Sequence, residues 1–508
     1  MTRKNILFLL NDHQAYYRHG WDGGPKVQRP SFAKLAQKGV SFENAYCAAP
    51  LCGPARRSML TGLYPHSHRE LDNDVNHPFD KQTYLQVLRE NGYDNYYFGK
   101  WHTGPGDALE HHCQGFSQSG YGNPYRSPEY HDYLQRTGLP KPQFKVDFNL
   151  CEGRDADYAH KLSAAAETGS DFTTDFDDFW FPAAGRLLTP KETHSSFFLA
   201  DLACRQLKQL AESDSDRPFH LRVDFWAPHQ PYFATSEFTD LYPPEQIPEY
   251  KSFRDNLATK PDIYWREENE KLSHNNRLNP NAMSWQQWQQ LLSLCYGQIT
   301  LADQAAGLIL DCLEELGLSE NTIVLWTTDH GDTVASHGGH FDKDQAMPEE
   351  LLRIPMAMSY PGKIEQGVTN SALVSNLDIG PTILDAAGCR YDQPVHGKSL
   401  LSSVTQDESQ RRNNLVIETH GRKGSRYFGR AIIQENFKYV YNHKDRDELY
   451  HLISDPYELD NLIHSPEHAE RVETLRRELR QWQLDTGDDK QLDFELPSKV
   501  MEPETAQN

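Results

Sequence analysis

The chain alternates short apolar runs with amphipathic helical patterns, and this alternation constrains its fold more than any other feature. NILFLLND (5–12) and NTIVLW (321–326) have the composition of buried strands. RPSFAKLAQKG (29–39) and TYLQVLRENG (83–92) have the spacing of helices that end at a glycine. Strands that alternate with helices are typical of a sheet covered by helices. We therefore predict an α/β fold with a large mixed β-sheet flanked by helices on both faces.

Three segments depart from this rhythm and suggest the domain organisation. Residues 105–195 are rich in aromatic, acidic and glycine residues, and residues 236–280 are polar with several prolines. Long insertions of this kind build a substrate rim or lid, or only decorate the surface. From residue 411 the pattern changes to short strands and one amphipathic helix. We predict a catalytic domain at 1–410, a smaller C-terminal α+β subdomain at 411–495 and a tail at 496–508.

Charge and hydropathy exclude several classes of function. The 508 residues carry a formal net charge of −22, which opposes binding to nucleic acid because phosphate contacts need clustered Lys and Arg. No apolar run approaches the roughly 20 residues of a membrane span, so we predict no membrane contact. The run ILFLL near the start is too short for a signal peptide. We expect a cytoplasmic protein, or a periplasmic or secreted one if a signal was trimmed, and leave a homo-oligomer open.

Two motifs at predicted strand ends carry possible metal ligands. Asn11-Asp12-His13 follows ILFLL, and Thr328-Asp329-His330 follows NTIVLW. Open α/β sheets bind ligands at the carboxyl ends of their strands, and neighbouring Asp and His side chains offer oxygen and nitrogen to a cation. Alone, the first motif is better explained as a cap of the following turn, but two strand-end acids in one parallel sheet favour a metal site.

Basic side chains occupy further strand ends and one glycine-rich loop. In GKWH, β geometry would put Lys100 and His102 on the same face, so that both point at one ligand. His229 lies between two prolines, which restrict it as a general acid or base requires. Lys343 belongs to SHGGHFDKD, which also carries His337. A solvated lysine, a packed histidine and an ordinary polar loop are the structural alternatives.

Cys52 stands in PLCGPARRSMLTG (50–62), at the possible start of a helix and beside two arginines. Positive charge next to a thiol favours a reactive thiolate. The stretch by itself is also compatible with a metal ligand, a disulfide partner or a modification site.

The order of these motifs resembles that of the formylglycine-dependent sulfatases of the alkaline phosphatase superfamily. The family signature Cys-x-Pro-x-Arg followed by Leu-Thr-Gly is found here as CGPAR (52–56) and LTG (60–62). The resemblance extends over nearly the whole chain, through GKWH, the Pro-His element, TTDHGD, EELLRIP and DELYHLISDPYELDNL.

The resemblance implies a modified nucleophile and one metal ion. A formylglycine-generating maturation enzyme would convert Cys52 to formylglycine (3-oxoalanine). One hydroxyl of the hydrated aldehyde would attack sulfur, and the other would expel sulfate afterwards. One divalent cation, with Ca²⁺ as first choice and Mg²⁺ or Mn²⁺ as alternatives, would be held by Asp12, Cys52, Asp329 and His330. His13 stands where many members have a second acidic residue, and histidine is a poorer ligand for a hard cation.

The resemblance also assigns roles to the basic residues. Arg56 would anchor the formylglycine turn, His102 would act near the second hydroxyl, and His229 would protonate the leaving oxygen. Asn73, 21 residues after the nucleophile, matches a sulfate-contacting Asn of the choline-sulfatase and phosphonate-hydrolase branches. The implied catalytic set is Cys52, Arg56, Lys100, His102, His229 and Lys343, and the implied substrate-binding set is Asn73, Lys100, His229 and Lys343.

We therefore expect a sulfuric ester hydrolase that converts aryl, alkyl or carbohydrate sulfate monoesters to an alcohol and inorganic sulfate. A phosphonate or phosphate ester hydrolase with the same nucleophile is the main alternative. The Lys100–His102 pair argues for sulfate, because uncharged residues replace it in the phosphonate branch. A protein that binds sulfated ligands without catalysis is the third possibility, and it would require an unconverted Cys52.

Overall fold

The computed structural model describes residues 3–16, 26–73, 75–149, 161, 164–165, 167–175, 183–264, 283–343, 345–404, 411–422 and 426–494. The predicted tail at 496–508 and parts of both predicted insertions lie outside these residues.

Strands and helices alternate along most of the chain, as the sequence predicts. The strands are β1 (Asn5–Asp12), β2 (Val40–Tyr46), β3 (Asp94–Lys100), β4 (Gln114–Gln118), β5 (Phe144–Asn149), β6 (Thr173–Thr174), β7 (Ala183–Leu187), β8 (Phe219–Pro228), β9 (Tyr232–Ala234), β10 (Thr322–Thr328), β11 (Ala357–Ser359), β12 (Val368–Ser375), β13 (Asn414–Thr419), β14 (Gly429–Gln434), β15 (Phe437–Asn442) and β16 (Glu448–His451). The helices are α1 (Pro30–Gln37), α2 (Cys52–Thr61), α3 (Pro65–His68), α4 (Tyr84–Glu90), α5 (Pro128–Thr137), α6 (Ser195–Ala211), α7 (Ser236–Thr239), α8 (Trp285–Glu315), α9 (Glu349–Leu352), α10 (Ile379–Ala386), α11 (Leu400–Val404) and α12 (Ala469–Thr486).

The main sheet contains eight strands of the described chain in the order β12-β2-β11-β10-β1-β8-β3-β4. Strands β10, β1, β8, β3 and β4 run parallel to one another, whereas β11 pairs antiparallel with both β10 and β2. The predicted mixed sheet is therefore confirmed. Because the central strands are parallel, their carboxyl ends lie at one edge of the sheet, and that edge holds the site described below.

Both faces of the sheet are buried, and alternation along β1 explains how. Ile6, Phe8 and Leu10 join a core that includes α4 and α10, whereas Leu7 and Leu9 join a second core that includes α6 and α8. Successive residues of a strand point to opposite faces, so a continuously apolar strand must be covered on both sides. The prediction of helices on both faces is confirmed.

The predicted insertion at 105–195 is built into the fold. Strand β4 extends the edge of the main sheet beyond β3, and β5, β6, β7 and β9 form a small mixed sheet of their own. Tyr121, between β4 and α5, reaches the carboxyl end of the main sheet. This insertion therefore supplies part of the site.

The C-terminal strands β13–β16 form an antiparallel sheet that is packed on both faces. Leu415 and Ile417 belong to the main core, whereas Val416 belongs to a separate core with α12. The backbone N–H of Glu418 donates to the carbonyl of Ala48 at 3.2 Å, four residues before α2 begins. The C-terminal sheet therefore shares its core with the main sheet.

Among the described residues, no helix combines the length and apolar character needed to cross a membrane.

Candidate active site

The carboxyl ends of four parallel strands surround the first residue of helix α2, Cys52. Its side chain is fully buried. The Sγ atom lies 3.1 Å from Nε2 of His330, 3.7 Å from Oδ1 of Asp12 and 3.8 Å from Nζ of Lys100. Strands β1, β10 and β3 position these three neighbours at or just after their carboxyl ends. Residues far apart in sequence thus converge on one side chain.

Asp12, Cys52, Asp329 and His330 form a compact set of possible metal ligands. One ligand atom from each lies within 4.8 Å of the others, and all four residues are buried. The Nδ1–H of His330 donates to the carbonyl of Gly331 at 2.8 Å, which leaves the Nε2 lone pair directed toward Cys52. A histidine that ligates a metal commonly donates its other ring N–H in this way. The donor set therefore fits one cation.

Arg56, one turn into α2, neutralises the acidic residues around this set. Its guanidinium donates to Oδ2 of Asp329 at 2.9 Å, to Oδ2 of Asp224 at 2.9 Å and to the carbonyl of Lys100 at 3.0 Å. Burial lowers the pKa of Arg56, but the charges of Asp329, Asp12 and Asp224 outweigh burial and raise that pKa above its usual value. Arg56 therefore stays charged and ties α2 to three strands.

The two acidic ligands have different electrostatic surroundings. Burial raises the pKa of Asp12; Lys100, which contacts it directly, opposes that shift, and the charge of Asp329 adds to it. Burial also disfavours the ionised form of Asp329, but the charges of Arg56, His330 and Lys100 hold the pKa of Asp329 well below its usual range. Two buried carboxylates this close repel each other, and a cation between them would relieve that repulsion.

Lys100 and His102 meet at the ring of Tyr121. The Lys100 ammonium lies 4.1 Å from the Tyr121 ring centroid, and the His102 ring packs edge-on against the same ring at 5.7 Å. Strand β3 ends at Lys100, and His102 has a left-handed backbone with φ of 47°. The expectation that β geometry puts both residues on one face is therefore wrong, because the strand has ended before His102. A turn and an aromatic ring bring them together instead.

His229 and Lys343 form a hydrogen-bonded pair that also contacts Tyr121. Nζ of Lys343 lies 3.0 Å from Nε2 of His229. Nδ1 of His229 lies 2.6 Å from the carbonyl of Gln230, so Nδ1 carries the proton and Nε2 accepts from the lysine. The hydroxyl of Tyr121 lies 3.1 Å from the same Nδ1. Burial and the charge of Lys343 lower the pKa of His229 well below its usual value, so the ring is neutral at rest.

Asn73 lies beside the start of α2. Its side-chain oxygen accepts a hydrogen bond from the backbone N–H of Gly53 at 2.8 Å. A Cβ atom on Gly53 would lie 3.2 Å from that oxygen, so the glycine allows the close approach. Asn73 is thereby held next to Cys52, as the sequence comparison implies.

His13 lies between His330 and a second group of polar side chains. Its backbone has φ of 65°, and its N–H donates to Oδ1 of Asp329 at 2.9 Å. The ring faces His229 at 4.9 Å between centroids, and Nε2 lies 3.5 Å from Oδ1 of Asp342. His13 therefore packs against the His330 ring, 4.8 Å away between centroids, but it does not belong to the set formed by Asp12, Cys52, Asp329 and His330.

His337 belongs to a different cluster. Its ring nitrogens lie 3.5 Å from Asp255 and 3.2 Å from Glu350. Both partners are remote in sequence from the strand-end motifs. His337 therefore supports the loop that carries Lys343 rather than the site itself.

Sequence reasoning missed three residues that contact the site. Asp224 lies within strand β8, where nothing in its spacing distinguishes it from structural residues. Tyr121 comes from the aromatic-rich insertion, which has no periodicity to interpret. Asp342 precedes Lys343, and its side chain lies 3.4 Å from Nζ of that lysine. Adjacency to a predicted site residue was the one available signal, and it applied to Asp342 alone.

Comparison with known proteins assigns the chain to a family. The profile of the family described as Sulfatase matches residues 4–389, most of the chain. The chain belongs to the sulfatase family. A second profile, described as N-sulphoglucosamine sulphohydrolase, C-terminal, matches residues 336–485. The prediction of a sulfuric ester hydrolase is confirmed at the level of enzyme class.

Individual relatives agree with this assignment. An ulvan-active sulfatase of Formosa agariphila is 25% identical over 483 residues, covering 94% of this chain and 80% of that protein. An N-acetylglucosamine-6-O-sulfatase of Bacteroides thetaiotaomicron is 25% identical over 511 residues, covering 95% and 86%. Among solved structures, the phosphonate monoester hydrolase of Agrobacterium radiobacter superposes with a TM-score of 0.74 at 20% identity, covering 95% of this sulfatase and 96% of that chain.

Proposed function

We propose that this sulfatase hydrolyses sulfate monoesters of carbohydrates, with a nucleophile derived from Cys52 by conversion to formylglycine and with one divalent cation. The observation that carries the proposal is the convergence of Asp12, Cys52, Asp329 and His330 within 4.8 Å at the buried start of a helix. The Lys100 ammonium lies beside Cys52 and the Lys343 ammonium beside His229, which suits an anionic substrate.

The donor set fits a hard cation once residue 52 carries oxygen. Two carboxylates, one imidazole and a side-chain oxygen are ligands that Ca²⁺, Mg²⁺ or Mn²⁺ accepts, whereas a thiolate favours softer metals. We propose Ca²⁺ as the native ion. When bound, the cation supplies positive charge that stabilises the sulfate oxygens and lowers the pKa of a coordinated hydroxyl.

Conversion of Cys52 fits the position as well as the metal. The side chain starts α2, where backbone N–H groups and the helix dipole favour negative charge. A hydrated aldehyde there supplies an oxygen nucleophile and a second hydroxyl through which sulfate is expelled. Arg56, anchored to Asp329 and Asp224, would hold the first turn of the helix in position.

Lys100, Lys343 and Asn73 would bind the sulfate group. Both lysine side chains are almost fully buried, so their charges act in a medium of low dielectric constant and stabilise an anion strongly. The Asn73 oxygen accepts from the Gly53 N–H, and the Asn73 side-chain N–H group would add a neutral donor. His102, packed on Tyr121, lies beside Lys100 on the nucleophile side.

His229 would deliver the proton to the leaving oxygen. Its Nε2 faces Lys343, and its Nδ1–H is held by the carbonyl of Gln230, so the ring cannot turn freely. The pKa of His229 is well below its usual value at rest because of burial and Lys343. A bound sulfate ester brings negative charge that opposes this shift and favours the imidazolium form. Substrate binding would therefore prime His229 as a general acid.

The preference for carbohydrate sulfates draws on the relatives, whose names refer to ulvan and to N-acetylglucosamine 6-sulfate. The phosphonate hydrolase likeness concerns the fold alone, and the buried Lys100 beside His102 favours sulfate. Aryl and alkyl sulfates remain alternatives within the same reaction.

The decisive experiment determines the preferred substrate and the chemical state of residue 52 in the same preparation. We would purify the full chain from a host with a formylglycine-generating enzyme, and assay a panel of sulfated saccharides, aryl sulfates, choline sulfate and phosphonate monoesters. Peptide mass would report the state of residue 52. We expect sulfate release from a saccharide, an aldehyde mass at residue 52, and no turnover by Cys52→Ala.

Cys47→Ala is the matched control, because Cys47 is a buried thiol in the main core and should be dispensable. An unmodified thiol in fully active enzyme would overturn the proposed nucleophile. Faster turnover of phosphonates than of every sulfate ester would overturn the proposed substrate.

A further inference from the structure

A second set of metal-binding side chains lies beside the proposed catalytic cation site. His13, His229 and Asp342 each offer one ligand atom, and these atoms lie within 4.8 Å of one another. Nε2 of His13 is 3.5 Å from Oδ1 of Asp342, and the two imidazole rings are 4.9 Å apart between centroids. The set shares no residue with Asp12, Cys52, Asp329 and His330.

The His13 ring is the strongest indication that something binds here. The residue is 1% exposed, and neither ring nitrogen has a hydrogen-bond partner among the described residues. A buried polar atom without a partner is costly, so native structures rarely contain two on one ring. With its left-handed backbone held by Asp329, His13 places this ring between His330, at 4.8 Å between centroids, and the pair His229 and Asp342. A metal ion would satisfy one of its nitrogens.

The donor chemistry selects the kind of metal. Two imidazoles and one carboxylate suit Zn²⁺ and related transition metals, whereas Ca²⁺ prefers oxygen ligands. His229 already donates its Nδ1–H to the carbonyl of Gln230 at 2.6 Å, the arrangement that orients Nε2 as a ligand. Asp332 offers a further carboxylate oxygen 3.7 Å from Nε2 of His13.

The Lys343 ammonium group occupies the position that the metal ion would take. Its Nζ is 3.0 Å from Nε2 of His229 and 3.4 Å from Oδ1 of Asp342. An ammonium and a divalent cation cannot share the same lone pairs, so the metal would displace Lys343 from both partners. His229 would then have no free Nε2 for a proton.

We propose that His13, His229 and Asp342 form a binding site for Zn²⁺ or a similar transition metal, and that its occupation inhibits the enzyme. The metal competes with the Lys343 ammonium rather than with the catalytic cation. The inhibition rests on the proposed function of His229 and Lys343, whereas the binding itself does not.

Inhibition is tested with the mature enzyme at saturating Ca²⁺. We expect Zn²⁺ to inhibit wild type, excess Ca²⁺ not to relieve this, and a chelator followed by Ca²⁺ to restore activity. Each variant is compared with its own zinc-free activity. His13→Asn should need at least about ten-fold more Zn²⁺, because one of three ligands is lost. His66→Asn, which removes the histidine of the separate cluster with Glu418 and Asp488, should keep wild-type zinc sensitivity.

Binding is tested separately with Co²⁺ as a spectroscopic probe and Ca²⁺ present, in full-length Cys52→Ala, which needs no activity. We expect a visible absorption band typical of nitrogen-ligated Co²⁺. Adding His13→Asn should weaken binding at least about ten-fold, and adding Lys343→Ala should strengthen it by removing the competing ammonium. Unchanged Co²⁺ affinity in both double variants would overturn the site, and zinc inhibition relieved in proportion to Ca²⁺ would overturn the inhibitory role.

Discussion

Arg56 illustrates how single residues hold the site together. Solvent does not reach its side chain, and its guanidinium joins α2 to the carboxylates of Asp329 and Asp224. Asp224 in turn receives two hydrogen bonds from Arg222, at 2.7 and 2.8 Å. Removing Arg56 would leave buried carboxylates without their counter-charge, which costs more than the pair itself contributes.

Arg56→Ala is therefore expected to lower the free energy of unfolding by about 3–5 kcal/mol, measured by denaturant titration. Arg57→Ala is the matched control. Arg57 is also buried, but it donates to the Pro78 carbonyl and packs on the Phe79 ring. Because Arg57→Ala removes no ion pair with Asp329 or Asp224, it should lower the free energy of unfolding by less than Arg56→Ala does. An Arg56→Ala protein as stable as wild type would contradict this electrostatic account.

Residues at strand ends could be predicted from the sequence, and the residues around them could not. Asp12, Asp329 and Lys100 follow apolar runs whose length marks a buried strand, so their meeting at one edge is a consequence of parallel pairing. The direction of His13 depends on the sign of its φ angle, which its residue type does not determine. The position of Tyr121 could not be predicted, because it depends on how an insertion without a periodic sequence pattern folds back onto the sheet.

At the scale of elements, the end of β10 is docked tightly against α9. The Gly331 N–H donates to the Leu351 carbonyl at 2.8 Å, and a Cβ atom on Gly331 would lie 1.9 Å from the Glu350 carbonyl oxygen. No side chain fits there. Gly331 also supplies the carbonyl that orients His330.

Gly331→Ala should consequently push β10 from α9 and displace His330. We expect a loss of about 1–3 kcal/mol in stability and a higher Ca²⁺ concentration for half-maximal activity. Gly317→Ala is the control: Gly317 has φ of 69° and no neighbour within 4 Å of an added Cβ. That change should cost about 1–2 kcal/mol and leave the Ca²⁺ requirement alone. If both variants needed the same Ca²⁺ concentration for half-maximal activity, the proposed link between the β10–α9 contact and the position of His330 would be refuted.

Helix α3 is joined to the C-terminal sheet by a buried histidine. Nδ1 of His66 lies 3.1 Å from Oε2 of Glu418, and Nε2 lies 3.1 Å from the carbonyl of Thr486. Burial lowers the pKa of His66, but the hydrogen bond and charge of Glu418 outweigh burial and raise that pKa above 6.5. Both nitrogens thus face acceptors, which favours the imidazolium.

Because the folded-state pKa of His66 is raised, its stabilising contribution is complete below the unfolded-state pKa and is lost as pH rises through the folded value. The stability difference between wild type and His66→Gln should be largest below the unfolded-state pKa of about 6.5 and should shrink as the pH rises above it. Parallel denaturant titrations measure it. His131→Gln, an exposed change on α5, should show no such trend. A difference that grows with pH would contradict the assignment.

At the scale of the whole molecule, the C-terminal sheet contributes directly to the main core. Alternating residues of β13 belong to two cores, and Glu418 hydrogen-bonds the segment before α2. The buried ammonium of Lys260, from the second predicted insertion, lies 3.0 Å from the hydroxyl of Tyr450 in β16. The strand pattern of the sequence predicts a separate C-terminal subdomain. The shared core could not be predicted, because it depends on contacts between segments that are distant in sequence.

A shared core predicts cooperative unfolding. We expect one calorimetric transition whose van 't Hoff and calorimetric enthalpies agree, and no folded product from a chain that stops at residue 410. Adding Ca²⁺ should raise the midpoint without splitting the transition. Two resolved transitions, or a stable truncated chain, would show that the C-terminal sheet folds independently.

The complete burial of Cys52 has a consequence for how the enzyme is made. Under the proposed chemistry another protein must reach this side chain, yet the folded chain closes over it with residues from four strands. The C-terminal sheet is synthesised after Cys52, and it hydrogen-bonds the segment just before that residue. Conversion must therefore happen while the chain is still emerging or open. Maturation and folding then compete in time, and a molecule that folds first with its thiol intact stays inactive until it unfolds.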